Sequence, residues 1–326
     1  TLSKVVTKDS LHNAIAVNAA LGGSTNAIVH LLAIARRLNI DLELDEFDTI
    51  GSQVPLLVNL MPSGEYLMED FYYAGGVPAV MAEMKSVLKL NQITVSGKTV
   101  AEDIEDAPCW NREVIATWDN PVQPAGSSTV VLKGNIAPNG AVLKISAATP
   151  ELLQHRGPAL VFDRNEDYIE ASDDPDLDVT PDTVLIVRNS GPKGYPGFPE
   201  VGNMPLPKKL LEAGVTDMVR VSDARMSGTG FGTCVLHVTP EAAAGGPLGI
   251  VQTGDMVTLD VAQRKLDIDV PEEEIARRMK EYSPQEAVAT RGWEQLYIQH
   301  VTGADVGADL DFLQGSSGST PGRHSH

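Results

Sequence analysis

Residues 118–133 read WDNPVQPAGSSTVVLK, and the pattern of the chain changes inside them. Upstream, apolar residues fall at helical spacing. Ile28, Leu31, Leu32, Ala35 and Leu38 share one face of a helix that Ser24 or Thr25 caps, with Arg36 and Arg37 near its negative end. Ser10 can cap an earlier helix running through His12, Ala16 and Leu21 to Gly22-Gly23, and Pro78 can open another after Gly75-Gly76. The Pro/Gly/Ser-rich text of 119–128 ends this regime. Short β-rich runs follow at 129–133, 141–145, 159–162, 183–188, 218–221, 233–238 and 256–261. Pro138-Asn139-Gly140 and Asp173-Asp174-Pro175 read as turns between them, and 207–213 as the helix that interrupts them. Many short strands with few helices predict a barrel- or sandwich-like unit. Helix returns after Pro271, and again after Ser283-Pro284 through Trp293 and Tyr297. Residues 315–326, GSSGSTPGRHSH, carry no core-forming pattern.

The 326 residues are enough for a large buried core, and 42% hydrophobic with 21% charged residues is the balance of a globular chain. No apolar run approaches the roughly 20 residues of a membrane helix, and TLSKVVTKDS has no signal-peptide apolar segment. A formal charge of −19 argues against nucleic acid as a partner, because neutralising phosphates needs a basic face. An acidic enzyme with an anionic substrate must draw positive charge from a metal ion, Arg/Lys or helix amino termini. Cys109 and Cys234 lie far apart, which suits a reducing cytoplasm and excludes a disulfide scaffold.

Three Gly/Ser/Thr-rich loops are the chemical candidates. Gly22-Gly23-Ser24-Thr25-Asn26 lies between two helices, either as a C-cap followed by an N-cap or as an anion site. Residues 189–200, NSGPKGYPGFPE, follow a strand, and their prolines and glycines fix a path that ends on one carboxylate. Glu200 is thereby a candidate ligand for a hard cation such as Mg²⁺ rather than a solvated surface residue. Residues 222–230, SDARMSGTG, also follow a strand and place Ser227 and Thr229 around Gly228, with Arg225 available to a carboxylate. A plain polar connection is the competing reading of this loop. There is no GxSxG elbow, no HExxH and no close histidine ligand spacing outside the tail; His30 and His237 read as satisfied core histidines.

In order along the chain, GGSTNAIVHLLAIA, NLMPSGEYLMEDFYYAGGVPAV, VLKGNIAPNGAVLKIS, GPALVFD, NSGPKGYPGFPEVGNMP and SDARMSGTGFGTCVLHVTPEAA resemble the dihydroxy-acid/6-phosphogluconate dehydratase family, within it the sugar-acid branch. The resemblance implies a hydro-lyase that dehydrates an aldonate, such as L-arabinonate or another pentonate or hexonate, to its 2-keto-3-deoxy acid. It implies Mg²⁺ and an iron–sulfur cluster of the 2Fe–2S type as cofactors. By the same resemblance Glu200 is the Mg²⁺ ligand, Ser227 the alkoxide base, and Thr229 its neighbouring hydroxyl. Ser24, Thr25 and Ser63 would line the substrate cavity, and His326 would return from the tail to contact substrate or donate a proton. The family's cluster cysteines, an acidic Mg²⁺ ligand and a modified lysine belong to a segment upstream of Thr1, so a truncated form or one part of a larger protein is expected, unable alone to bind the cluster.

The implied fold is α/β: a helical remainder of an α/β/α domain (1–117), a β-barrel-like swivelling domain with closing helices (118–300), and a tail returning to the active site (301–326). A homodimer or homotetramer in the cytoplasm is expected. Two alternatives stand beside this. One is the dihydroxy-acid dehydratase of branched-chain amino-acid biosynthesis; the other, of a different class, is a non-catalytic fragment serving as an oligomerisation module.

Overall fold

The computed structural model describes residues 1–286 and 288–315. The opening is helical: α1 (Leu2–Val5), α2 (Lys8–Ala20), α3 (Asn26–Arg37), α4 (Asp45–Gly51), α5 (Met68–Ala74), α6 (Gly76–Glu83) and α7 (Val100–Asp103). Helix α2 starts earlier than Ser10 suggests. Thr7 Oγ1 accepts the Ser10 N–H at 3.1 Å while Ser10 Oγ accepts the Thr7 N–H at 2.8 Å, a reciprocal capping box with Thr7 as the cap. Gly22, at φ +57°, turns the chain between α2 and α3, and Ile28, Leu32 and Ala35 of α3 are buried as the spacing requires.

The strand-rich half closes into a barrel. Its strands are β1 (Thr129–Gly134), β2 (Ala137–Lys144), β3 (Gln154–Phe162), β4 (Val184–Val187), β5 (Arg220–Ser222), β6 (Cys234–Thr239), β7 (Met256–Asp260) and β8 (Lys265–Ile268), in the spatial order β1-β2-β6-β5-β4-β3-β7-β8. Four neighbours, β3, β4, β5 and β6, run parallel, while β1–β2, β2–β6, β3–β7 and β7–β8 are antiparallel. Helices α8 (Asn165–Ser172) and α9 (Lys208–Glu212) lie within the barrel sequence, and α10 (Glu272–Glu281) and α11 (Gly292–His300) follow it.

Strand alternation decides what each face covers. Val130 and Leu132 of β1, Ala141 and Leu143 of β2, Val184 and Ile186 of β4, and Val235 of β6 fill the barrel. The intervening Val131, Val142, Cys234 and Leu236 pack outward against Leu11, Ile15, Ile28 and Leu32 of the helical part. On another side Leu185 and Val187 meet Tyr168 of α8 and Leu210 of α9. Burial on both faces explains why the strands read as dense apolar runs instead of alternating ones.

Four expectations need correction. Pro138-Asn139-Gly140 lies inside β2; the reversal is at Asn135-Ile136, and Gly140, at φ +123°, sits at a register shift. Strand β8 and helix α8 carried too little pattern to be seen. Residues 283–286 are not helical, and the last helix begins at Gly292. His30 is exposed on α3 and not in the core. Among the described residues no helix is long and apolar enough to cross a membrane.

Candidate active site

Strands β4 and β5 are parallel neighbours, paired from Leu185↔Arg220 to Val187↔Ser222, so the loops leaving their carboxyl ends emerge side by side. These are the two loops ending on Glu200 and carrying Ser227. Two buried carboxylates shape the first of them. Asp223 accepts the N–H groups of Asn189 (3.1 Å), Ser190 (2.8 Å) and Ala242 (3.0 Å). Glu241 accepts those of Lys193 (2.9 Å) and Gly194 (3.0 Å). Burial pushes Asp223 up to about 6 and, with the charge of Asp223 nearby, Glu241 up to about 7, against the lowering pull of those amides.

The loops are then tied to each other. Arg225 Nε donates to the Phe198 carbonyl, and the guanidinium lies 5.6 Å from the Phe198 ring centroid. The Gly202 N–H returns a bond to the Arg225 carbonyl at 2.9 Å. Arg225 is thus engaged at Nε in holding the proline-rich loop. His237, buried on β6 with its ring 5.7 Å from that of Phe198, is held neutral, its pKa pushed down to about 3 chiefly by burial. Its Nε2 has no partner among the described residues, so it is a core histidine but not a satisfied one.

The helical part supplies the third side. Asn26, the first residue of α3, donates from Nδ2 to Glu200 Oε1 at 2.5 Å and to the Met226 carbonyl at 3.0 Å. Ser24 Oγ accepts the Asn26 N–H at 3.1 Å, and a Cβ on Gly228 would come within 2.9 Å of Ser24 Cβ, so the loop after β5 packs directly on the first loop. Ser227 Oγ and Thr229 Oγ1 are 3.0 Å apart. Ser63 Oγ donates to Ser146 Oγ at 2.9 Å and lies beside Gly22, 3.7 Å from where a Cβ there would be.

Glu200, Ser227, Thr229 and Ser24 therefore meet at one junction, with Ser63 at its margin. Thr25, the cap residue of α3 beside Ser24, is 3% exposed. His326 lies outside the described residues. Glu200 and Thr229 are exposed and Ser227 is half-buried, which makes the junction an open face in this chain. Asn26, Asp223 and Glu241 carry the geometry; Asn26 and Asp223 lay within the quoted loops and Glu241 within a quoted motif, yet none was singled out from sequence.

Two cofactor questions can be put to these residues. Glu200 presents an exposed carboxylate with Oε1 held by Asn26 and Oε2 free of hydrogen bonds among the described residues, a hard oxygen donor that fits one vertex of a Mg²⁺ site. No group of three or more His, Cys, Asp or Glu gathers as a metal site among the described residues. An iron–sulfur cluster is not fitted: Cys234 is buried in β6, its thiol pushed up to about 11 by burial, and Cys109 faces backbone carbonyls of its own turn.

Comparison with known proteins places relatives beside this chain along nearly its whole length. The family model described as dihydroxy-acid/6-phosphogluconate dehydratase N-terminal matches residues 1–103, and its C-terminal counterpart matches residues 113–308. An L-arabinonate dehydratase of Rhizobium leguminosarum is 52% identical over 326 residues, covering 99% of this chain and 56% of that protein. A 6-deoxy-6-sulfo-D-gluconate dehydratase of Pseudomonas putida is 51% identical over 311 residues, 95% of this chain and 54% of its own length. A dihydroxy-acid dehydratase of Acetivibrio thermocellus is 43% identical over 314 residues, 95% and 55% respectively. The chain spans a little over half the length of these relatives. With both family models matched in order across the loops that build the junction, the chain belongs to the dihydroxy-acid/6-phosphogluconate dehydratase family.

Proposed function

We propose that this chain carries the base-bearing part of a hydro-lyase that dehydrates a sugar acid. The observation that supports it is the junction itself: a free carboxylate oxygen on Glu200 and the paired hydroxyls of Ser227 and Thr229, joined through Asn26. Mg²⁺ held at Glu200 would supply Lewis-acid stabilisation of charge developing on a 2,3-dihydroxy acid. Ser227 Oγ, as the alkoxide, takes the C2 proton, the C3 hydroxyl leaves as water with the proton that the Ser227 hydroxyl so formed gives back, and the resulting enol tautomerises to the 2-keto-3-deoxy acid. Thr229 Oγ1, 3.0 Å away, can donate to Ser227 Oγ as it ionises and so stabilise the base. Ser24 and Ser63 would face the substrate, and His326 would reach it from the tail.

Sugar acids are favoured over the branched-chain dihydroxy acid because the sugar-acid dehydratases match at 51–52% identity and the dihydroxy-acid dehydratase at 43%. The same proposal includes 1–117 as the remainder of an α/β/α domain, 118–300 as a swivelling barrel domain, a homo-oligomer and a cytoplasmic setting. It is tested on the cluster-loaded holoenzyme that carries this span, incubated with Mg²⁺ and a panel of pentonates, hexonates and dihydroxyisovalerate, following 2-keto acid formation. Turnover of an aldonate that Ser227→Ala lowers by roughly 10²-fold or more supports it. Faster turnover of dihydroxyisovalerate moves the assignment to the branched-chain enzyme, and no turnover of any acid leaves the oligomerisation module. Deleting 324–326 without effect removes His326 from the site.

A further inference from the structure

We propose that Asn26 is a positioning residue that sets the spacing between the Glu200 carboxylate and the Ser227 hydroxyl; this rests on the function proposed above. An asparagine amide has two N–H donors, and both are used: one on Glu200 Oε1 at 2.5 Å, the other on the Met226 carbonyl at 3.0 Å. The two acceptors belong to different loops, after β4 and after β5, and Met226 is the residue bonded to Ser227. No other hydrogen bond holds the Glu200 side chain among the described residues. One planar amide therefore fixes both the metal-facing carboxylate and the backbone that carries the base.

The orientation of that amide is forced. Rotating it by half a turn would put Oδ1 against a carboxylate and a carbonyl, two acceptors with nothing to donate. As it stands Oδ1 is buried with no partner among the described residues, an unfavourable arrangement that the two donor bonds must outweigh. The base of the side chain is fixed as well, because the Asn26 N–H bonds to Ser24 Oγ and Ser24 packs on Gly228. The hydrogen bonds of Asn26 go to Ser24, Glu200 and Met226. It acts through Glu200 and Ser227.

Three variants test this: Asn26→Leu, close in volume but without donors; Asn26→Ala, for use if the first does not fold; and Asn26→Gln, which keeps an amide. Backbone hydrogen exchange reads the loops, and Mn²⁺ titration of the holoenzyme that carries this span, followed by electron paramagnetic resonance, reads the Glu200 site. Asn26→Leu is expected to speed exchange across 197–202 and 226–230 and to weaken Mn²⁺ binding, each by roughly tenfold, with β3–β6 unchanged and Asn26→Gln restoring part of the affinity. Unchanged exchange overturns the assignment. Faster exchange with unchanged Mn²⁺ affinity overturns it too, since the loops would then be held without the site depending on it. If the unsubstituted protein binds no Mn²⁺, the proposed function loses its metal, while loop exchange still decides the role of Asn26.

Discussion

At the scale of single residues, the site depends on buried carboxylates that do no chemistry themselves. Asp223 and Glu241 keep protons in the folded protein to about 6 and about 7, above their ordinary values of 3.8 and 4.5, because burial penalises their charge. In the window between about 4 and 7 the folded state binds more protons than the unfolded state at these positions. Their contribution to stability is thus complete below pH 4 and is lost as the pH rises through the folded values. Glu241→Gln removes one of the two titrations while leaving an oxygen to accept the Lys193 and Gly194 N–H groups. Urea midpoints measured from pH 4.5 to 7.5 should therefore fall less steeply with pH in the variant than in the parent protein. Equal slopes would mean that Glu241 is ionised throughout.

At the scale of elements, the loop after β4 is held by contact as closely as by hydrogen bonds. A Cβ on Gly191 would stand 2.5 Å from Glu241 Oε2 and 2.9 Å from Glu241 Cβ, and the Glu241 backbone leaves that side chain little room to retreat. Gly191→Ala should displace the carboxylate from the amides of Lys193 and Gly194 and cost about 1–3 kcal/mol, read as a lower urea midpoint. The same loops show what could be read from sequence. Strands β4 and β6 were visible because both of their faces are buried, and the loops after β4 and β5 because Pro and Gly punctuate them. Strand β8, KLDI, is short and half polar, and α8, NEDYIEAS, buries only Tyr168 and Ser172, so neither had a usable period. The role of Asn26, though the residue lies in the first candidate loop, was hidden for another reason. Its partners lie 174 and 200 residues away, and no local pattern reports a hydrogen bond across that distance. What sequence showed was where backbone leaves the barrel, and what it hid was which side chain joins those exits.

At the scale of the whole molecule, the barrel has a seam. Strands β1 and β8 share the single bridge Lys133↔Lys265, with the Lys133 N–H on the Arg264 carbonyl at 2.8 Å. Beyond that point a side chain takes the place of a strand. Asn135 donates from Nδ2 to the Ile268 carbonyl at 2.9 Å and accepts the Ile268 N–H on Oδ1 at 2.8 Å, while its own N–H bonds to Asp267 Oδ1 at 2.6 Å. An ion pair also crosses nearby, Arg264 Nε to Asp48 at 3.0 Å, joining the seam to α4 of the helical part. The two devices differ in weight. Arg264 and Asp48 remain a quarter to a third exposed, so solvent screens their attraction and Asp48→Ala should cost about 0–1 kcal/mol. Ile268 is 2% exposed. Asn135→Leu leaves the Ile268 N–H and carbonyl buried without partners and should cost about 2–3 kcal/mol, several times the ion-pair variant. Urea unfolding of the two variants side by side decides between them: equal losses would mean that charge closes the barrel, whereas a larger loss in Asn135→Leu, with faster hydrogen exchange in β8 than in β4, would place the closure in the asparagine amide.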